Sequence, residues 1–283
     1  MTATSVRDLL AEARATLTGD DAWGEAELLL AHALDRDRAW LVAHRDDAVA
    51  PALAGQFHCC LSRRVAGEPV AYIVGHRGFH ALDFVLTPDV LIPRPETELL
   101  VDAVLQRIPQ SAKVDIADLG TGSGAIALAI AHARTQARVL ATDASAAALD
   151  VARGNAGRLG IDNIDFAQGD WCAALGQRRF DGIVSNPPYI AEFDPHLAQG
   201  DLRFEPRSAL ASGLDGLDAI RTIVRSAPAH LQPGGWLLLE HGFDQGAAVR
   251  GLLQRSGLAD VFTARDLEGR ERVSGAFARN AAT

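Results

Sequence analysis

The tetrad Asn186-Pro187-Pro188-Tyr189 follows an apolar run that ends at Ser185, and its residue types suit one narrow kind of chemistry. Two consecutive prolines cannot continue a strand ladder, so they fix a stiff, extended turn. Asn186 offers a carboxamide oxygen and Pro187 a carbonyl oxygen. Two such acceptors can grip both hydrogens of a planar –NH2. An amide or aniline-type nitrogen is a poor nucleophile because its lone pair is delocalised. Acceptors that bind more strongly as positive charge builds on that nitrogen lower the barrier, and aiming it in line at an electrophile adds the proximity term. Tyr189 can lie against a flat target group. No general base stands within the motif, and none is needed if the proton leaves after the transfer. The bland alternative is a loop that happens to carry these residues.

A second cluster supplies a site for the other reactant. Asp118-Leu119-Gly120-Thr121-Gly122-Ser123-Gly124 lies between a strand-like run and a helix-like run, where Gly120, Gly122 and Gly124 let backbone approach a ligand at a helix N-terminus. The spacing is G-x-G-x-G rather than the G-x-G-x-x-G of a dinucleotide fingerprint, and the Lys-Ser/Thr of a P-loop is missing. A tight turn alone would also use glycine. Asp143 ends the next strand, where an acid can bind both hydroxyls of a ribose, although it could equally cap the following helix. Asp170-Trp171 follows the third strand and suits an adenine, through its exocyclic amine and its ring. Three acids, one after each of three consecutive strands, fit S-adenosyl-methionine, whose sulfonium tolerates an acidic pocket.

Positioning these groups requires an alternating α/β framework. Strands are expected at Val114–Leu119, Arg138–Asp143, Ile164–Gln168, Phe180–Ser185 and Gly235–Glu240, with helices at Ala125–Ala133, Ala146–Leu159 and Asp218–His230. Further β segments near Asp260–Arg265 and Arg272–Ala278 close the chain, and a loop runs to about Leu214. This alternation specifies a doubly wound sheet with helices on both faces. Residues 1–75 read as helices: Val6, Leu9, Leu10, Ala13 and Leu17 at helical spacing, a stop at Thr18-Gly19-Asp20-Asp21, then helices at Trp23–Leu34 and Leu53–Ala66. Gly75–Leu91 has hairpin composition. Pro93-Arg94-Pro95-Glu96-Thr97-Glu98 then opens a helix to about Arg107, with acids in its first turn that the helix dipole alone explains.

Composition narrows the partners. The 283 residues suggest two domains, and 48% apolar with 22% charged residues is the balance of a soluble globular protein. Net charge is −9, and residues 1–75 contribute −4 of it through seven arginines against eleven acids. A surface held to nucleic acid by counterion release is normally basic, so stable nucleic-acid binding is not expected. Of the bases only Lys113 is a lysine, a habit of composition without functional logic. Cys59, Cys60 and Cys172 form no CxxC, and no His/Cys cluster has metal-ligand spacing, so no metal is expected. The longest apolar stretch, Gly124–Ala133, falls short of the roughly 20 residues that span a bilayer, and Asp8 and Glu12 spoil a signal-peptide pattern. A cytoplasmic protein without membrane attachment is expected.

Asp-Leu-Gly-Thr-Gly-Ser-Gly followed by Asn-Pro-Pro-Tyr resembles class I methyltransferases that act on exocyclic amino or amide nitrogen. Gly67-Glu68-Pro69-Val70-Ala71-Tyr72-Ile73, Val90 to Glu98, Asp201-Leu202-Arg203-Phe204-Glu205-Pro206 and Leu239-Glu240-His241-Gly242 narrow the resemblance to the HemK family, over essentially the whole chain. Its bacterial members are release-factor glutamine N5-methyltransferases. The resemblance implies a Rossmann-like doubly wound sheet with a C-terminal antiparallel hairpin (93–283), joined by a β-hairpin (76–92) to a small helical domain (1–75) that engages the protein substrate. That substrate would be the glutamine of the Gly-Gly-Gln motif in peptide chain release factors, and the product S-adenosyl-L-homocysteine. Gly120, Thr121, Gly122, Ser123 and Gly124 would hold the cofactor's methionine part, Asp143 its ribose, and Asp170 with Trp171 its adenine. Asn186, Pro187, Pro188 and Tyr189 would hold the glutamine amide, with Asn186 also beside the cofactor. Glu96, Glu98, Arg203 and Glu205 receive no role. Two rivals remain: a nucleic-acid amino methyltransferase using the same tetrad, which would need a basic docking surface, and a nicotinamide-binding or non-enzymatic Rossmann protein, against which the glycine spacing counts. The −9 would then present an acidic surface to a basic protein partner.

Overall fold

Ser5 opens the first helix through a capping box: its hydroxyl accepts from the Asp8 amide while the Asp8 carboxylate accepts from the Ser5 amide. The computed structural model describes residues 4–19 and 21–280, so Asp20 of the expected stop lies outside the described residues. The chain divides into two compact units, 1–76 and 77–283. In the first, α1 (Val6–Thr16) packs on α2 (Ala22–Leu34), followed by α3 (Arg38–Ala43), α4 (Pro51–Val65) and α5 (Val70–Val74). Asp21 and Asp37 cap α2 and α3, and Pro51 starts α4, where its missing N–H costs nothing. Leu9, Leu29, Leu30, Leu41 and Phe57 close a core of their own. Each fully buried side chain of this kind contributes about 1.5–3 kcal/mol.

Next along the chain is a hairpin, β1 (His76–Phe79) and β2 (Leu82–Val85), all but its first residue in the second unit. A helix running from Pro93 to Arg107 was expected, but the chain forms a 3-10 turn at Pro95–Thr97 and then α6 (Glu98–Leu105). Arg94 precedes a proline and is extended (φ −97°, ψ 144°), which bars an earlier helical start.

The sheet then builds from β3 (Asp115–Leu119), α7 (Ala125–Ala133), β4 (Arg138–Asp143), α8 (Ala146–Leu159), β5 (Ile164–Gln168) and β6 (Phe180–Ser185). After three short 3-10 turns come α9 (Asp218–Ser226), β7 (Leu231–Glu240), α10 (Gly246–Arg255), β8 (Ala259–Arg265) and β9 (Glu271–Phe277). Strand order is β5-β4-β3-β6-β7-β9-β8. The first five strands are parallel, and β9 runs antiparallel to both β7 and β8. From β3 the chain steps outward through β4 to β5, then returns to place β6 on the other side of β3. That reversal leaves a crevice at the strands' carboxyl ends, the ligand-binding place of open α/β sheets.

Two boundaries and one helix differ from expectation for physical reasons. The helix at Asp218–His230 ends at Ser226 and tightens into a 3-10 turn, because Pro228 cannot donate the next helical bond. Strand β7 begins at Leu231, four residues early, and the register shift between Phe180 and Gly182 accommodates its Gln232-Pro233-Gly234 start. Helix α10 was not foreseen; Gly246 and Gly251 weaken its pattern, while buried Val249 and Leu253 one turn apart dock it.

Candidate active site

Leu119 ends β3 at the crevice, and the glycine loop folds back over β4: the Gly120 and Thr121 amides both donate to Thr142 O, at 2.9 and 2.8 Å. Gly120, Gly122 and Gly124 have φ of 72°, 56° and 85°, which residues with a Cβ rarely adopt. At Gly120 a Cβ would also stand 3.2 Å from the Trp171 ring. Thr121 donates its hydroxyl to Asp118 Oδ2 at 2.6 Å, and Ser123 O accepts from Asn155 Nδ2 at 3.0 Å. The loop therefore divides its labour. Gly120 and Gly122 line a cavity of about 340 Å³, while Thr121, Ser123 and Gly124 hold the turn behind it.

The same cavity is lined by Asp143, Asp170 and Trp171. Asp143 does not cap α8; Ser145 does, accepting from the Ala148 amide. Instead Asp143 Oδ2 accepts from the Gly122 amide and Oδ1 from the Ser145 amide, both at 2.9 Å. Each oxygen keeps a further lone pair for a diol. Asp170 precedes a 3-10 turn but makes no side-chain cap bond to it. Trp171 sits at φ +46°, a left-handed conformation that a bulky residue adopts only under constraint, and this turns its indole toward the glycine loop. Behind the loop, Asp118 is fully buried; burial pushes its carboxyl up to about 7, against the Thr121 hydrogen bond.

The tetrad leaves β6 beside the loop, where Ser185 donates to Leu119 O at 2.6 Å. Asn186 and Pro188 line the cavity; Pro187 is buried and Tyr189 does not reach it. Asn186 Nδ2 donates to Thr97 Oγ1 at 3.1 Å, leaving Oδ1 as its remaining acceptor. The Tyr189 hydroxyl donates to Glu240 Oε1 at 3.3 Å, and burial with the Glu240 charge raises the Tyr189 pKa. Tyr189 O accepts from Gln245 Nε2 at 2.9 Å, and a Cβ on Gly216 (φ +75°) would collide with that carbonyl. Glu205 is buried, pairs with Arg94 and accepts from the Ile92 amide at 3.0 Å, so it ties the Pro93 segment to the loop that closes the cavity. Glu98 accepts from the His80 amide at 3.0 Å and steadies the hairpin.

Sequence reasoning quoted Thr97 and Glu240 within the family motifs without giving them a role, and overlooked Gln245. Glu240 had a readable signal, since it is a carboxylate directly after Trp236-Leu237-Leu238-Leu239 in an interior strand. The cavity's glycines, its acids and an indole fit a nucleoside carrying a cationic amino-acid tail. Among the described residues no group of histidine, cysteine and acid side chains could hold a metal, and no helix is long and apolar enough to cross a membrane.

Comparison with known proteins adds three findings. Residues 8–75 match the PrmC N-terminal domain and residues 96–201 the methyltransferase small domain. The release factor glutamine methyltransferase of Xylella fastidiosa is 59% identical over 250 residues, 88% of this chain and 91% of that one. Its counterpart from Bordetella pertussis is 54% identical over 89% of this chain and 94% of that one. Among solved structures, a T. thermophilus 16S rRNA N2 methyltransferase in complex with AdoMet and guanosine shares the fold, with TM-score 0.54, 21% identity, and coverage of 72% of this chain and 50% of that one.

Proposed function

The chain belongs to the release factor glutamine methyltransferase family, and from that premise we propose that it methylates the side-chain nitrogen of the glutamine in the Gly-Gly-Gln motif of peptide chain release factors, in the cytoplasm. The carrying observation is 59% identity across nearly the whole length of a relative of that name. S-adenosyl-L-methionine, when bound, supplies a methyl group on a cationic sulfur and becomes S-adenosyl-L-homocysteine. Gly120 and Gly122 give its methionine part room against the backbone. Asp143 accepts from the ribose hydroxyls, and Asp170 with Trp171 takes the adenine. Asn186 Oδ1 and the Pro187 carbonyl accept the two hydrogens of the substrate amide and point its nitrogen into the cavity. Their hold tightens as positive charge develops on that nitrogen, the preorganised electrostatics that the reaction requires. The proton leaves after the methyl has been transferred. Tyr189, held at its hydroxyl and its carbonyl, stiffens the tetrad, and the helical unit engages the release factor.

Incubation of the purified chain with methyl-labelled cofactor and an intact release factor tests this reading. One methyl is expected on the Gly-Gly-Gln glutamine by fragment mass spectrometry, and none when that glutamine is replaced by glutamate. Label appearing in RNA or DNA while the release factor stays unlabelled would overturn it.

A further inference from the structure

We propose that Glu240 is a positioning residue for methyl transfer: acting through Thr97, it dictates which end of the Asn186 carboxamide faces the substrate. The inference rests on Asn186 as acceptor of the substrate amide, and it begins in the register of the sheet. Strands β6 and β7 are parallel with Ser185 beside Leu239, so Asn186, the first residue past β6, comes level with Glu240, the last residue of β7 and still paired with Val273 of β9. Glu240 is 1% exposed. A carboxylate in such a place is costly unless its interactions repay desolvation. Arg272, the base whose charge it feels, pairs with Asp266 at 3.0 Å instead. What does face Glu240 is a pair of hydroxyls. Tyr189 donates to Oε1, and Thr97, itself 4% exposed, is among the groups that favour the ionised form. Oε2 has no partner of full hydrogen-bond geometry among the described residues, so it remains open to the Thr97 proton.

The consequence follows from counting protons. A carboxylate only accepts, whereas a threonine hydroxyl owns a single proton. Asn186 Nδ2 donates to Thr97 Oγ1 at 3.1 Å, so that oxygen acts as acceptor, and the proposal sends the hydroxyl's own proton to Glu240 Oε2. The carboxamide is thereby locked with Oδ1 toward the substrate. A substrate –NH2 only donates, so the flipped amide would set NH2 against NH2 and could not bind it. The line also places a negative charge behind the acceptor, which favours the positive charge developing on the substrate nitrogen.

Burial pushes the Glu240 carboxyl up to about 7; Thr97, Tyr189 and Arg272 oppose the shift and Glu96 adds to it. These are the titratable and charged groups facing it, from the turn before α6, the loop after β6, and β9. The lock is therefore weak in acid and engages as pH rises through neutrality.

Glu240→Gln introduces a donor that frees the Thr97 proton for Asn186 Oδ1. We expect kcat on the release factor to fall about 10- to 100-fold, the range for groups that orient a reacting ligand, with cofactor Kd within about twofold by calorimetry. Thr97→Val should match that loss, Thr97→Ser should restore kcat, and the double variant Glu240→Gln/Thr97→Val should be no worse than either single. In the wild type kcat should rise between about pH 6 and 8, and this limb should disappear in Glu240→Gln. A limb retained in that variant, or Thr97→Ser as impaired as Thr97→Val, would overturn the proposal, as would losses of cofactor affinity equal to those in kcat. Should the wild type transfer no methyl to the release factor, the substrate reading falls by itself. The line is then decided by NMR of the Asn186 side-chain amide protons. Protection from exchange that disappears in Glu240→Gln supports the line; protection unchanged by the substitution refutes it.

Discussion

Asp143 and Asn186 line the same cavity, yet they hold different partners. Asp143 spends one lone pair on the Gly122 amide and one on the Ser145 amide, so it both shapes the glycine loop and offers acceptors to a diol. Asp143→Ala removes charged hydrogen bonds worth about 1.5–3 kcal/mol. Cofactor Kd should rise roughly 10- to 100-fold by calorimetry, while kcat at saturating cofactor stays near the wild-type value. The carboxamide of Asn186 donates to Thr97, and its oxygen is the atom proposed above to accept from the substrate. Asn186→Ala should lower kcat about 10²- to 10³-fold and leave cofactor Kd within a few-fold. Equal losses of affinity and turnover in either variant would mean that the roles are misassigned. Asp143 and Asp170 were legible because one ends a strand and the other lies just past the next. Asp118, inside β3 and fully buried, does not line the cavity as the three-acid pattern implied. The tetrad's division was not legible, because the direction of the Tyr189 hydroxyl depends on Glu240, 51 residues later in the chain.

At the level of elements, one side chain joins three of them. Asn155 on α8 is fully buried; its Oδ1 accepts from the Val85 amide at 2.8 Å, and Nδ2 donates to Val85 O and Ser123 O, each at 3.0 Å. The hairpin strand β2, helix α8 and the glycine loop thus share a single carboxamide. Asn155→Ala orphans these backbone groups at a cost of about 2–3 kcal/mol, a fall in Tm of roughly 4–12 °C for a unit of this size. Scanning calorimetry checks it, and an unchanged Tm would show that water or another side chain satisfies the same groups. Such a junction cannot be read along the chain, since Asn155 sits mid-helix where asparagine is only a weak helix former. The parallel strands could be read. Val139-Leu140-Ala141 and Ile183-Val184 are apolar runs bounded by polar residues, the mark of strands buried on both faces. Helix α10 and the 3-10 turns between Pro195 and Ala209 escaped because glycine and proline blur periodicity there, and tertiary contacts decide the outcome.

For the whole molecule, the two units keep separate ledgers of structure and chemistry. The first closes its own core and contributes no residue to the 340 Å³ cavity, whose lining lies entirely in the second. Cofactor affinity should therefore depend on the second unit, and affinity for the protein substrate on the surface of the whole chain. That surface is acidic in both parts, with −4 of the net −9 carried by residues 1–75. Complementary charge acts across solvent and is screened once the Debye length falls from about 10 Å at 0.1 M salt to about 3 Å at 1 M. Hydrogen bonds inside the cavity are screened far less. Raising salt over that range should weaken binding of the intact release factor at least about tenfold, mainly through slower association, while cofactor Kd moves by less than about twofold. Surface plasmon resonance with the release factor and calorimetry with the cofactor measure the two limbs independently. Salt-independent association would remove the acidic surface as the docking determinant. A cofactor Kd that tracked salt as steeply as the protein partner would contradict the proposed hydrogen-bonding roles of Asp143 and Asp170.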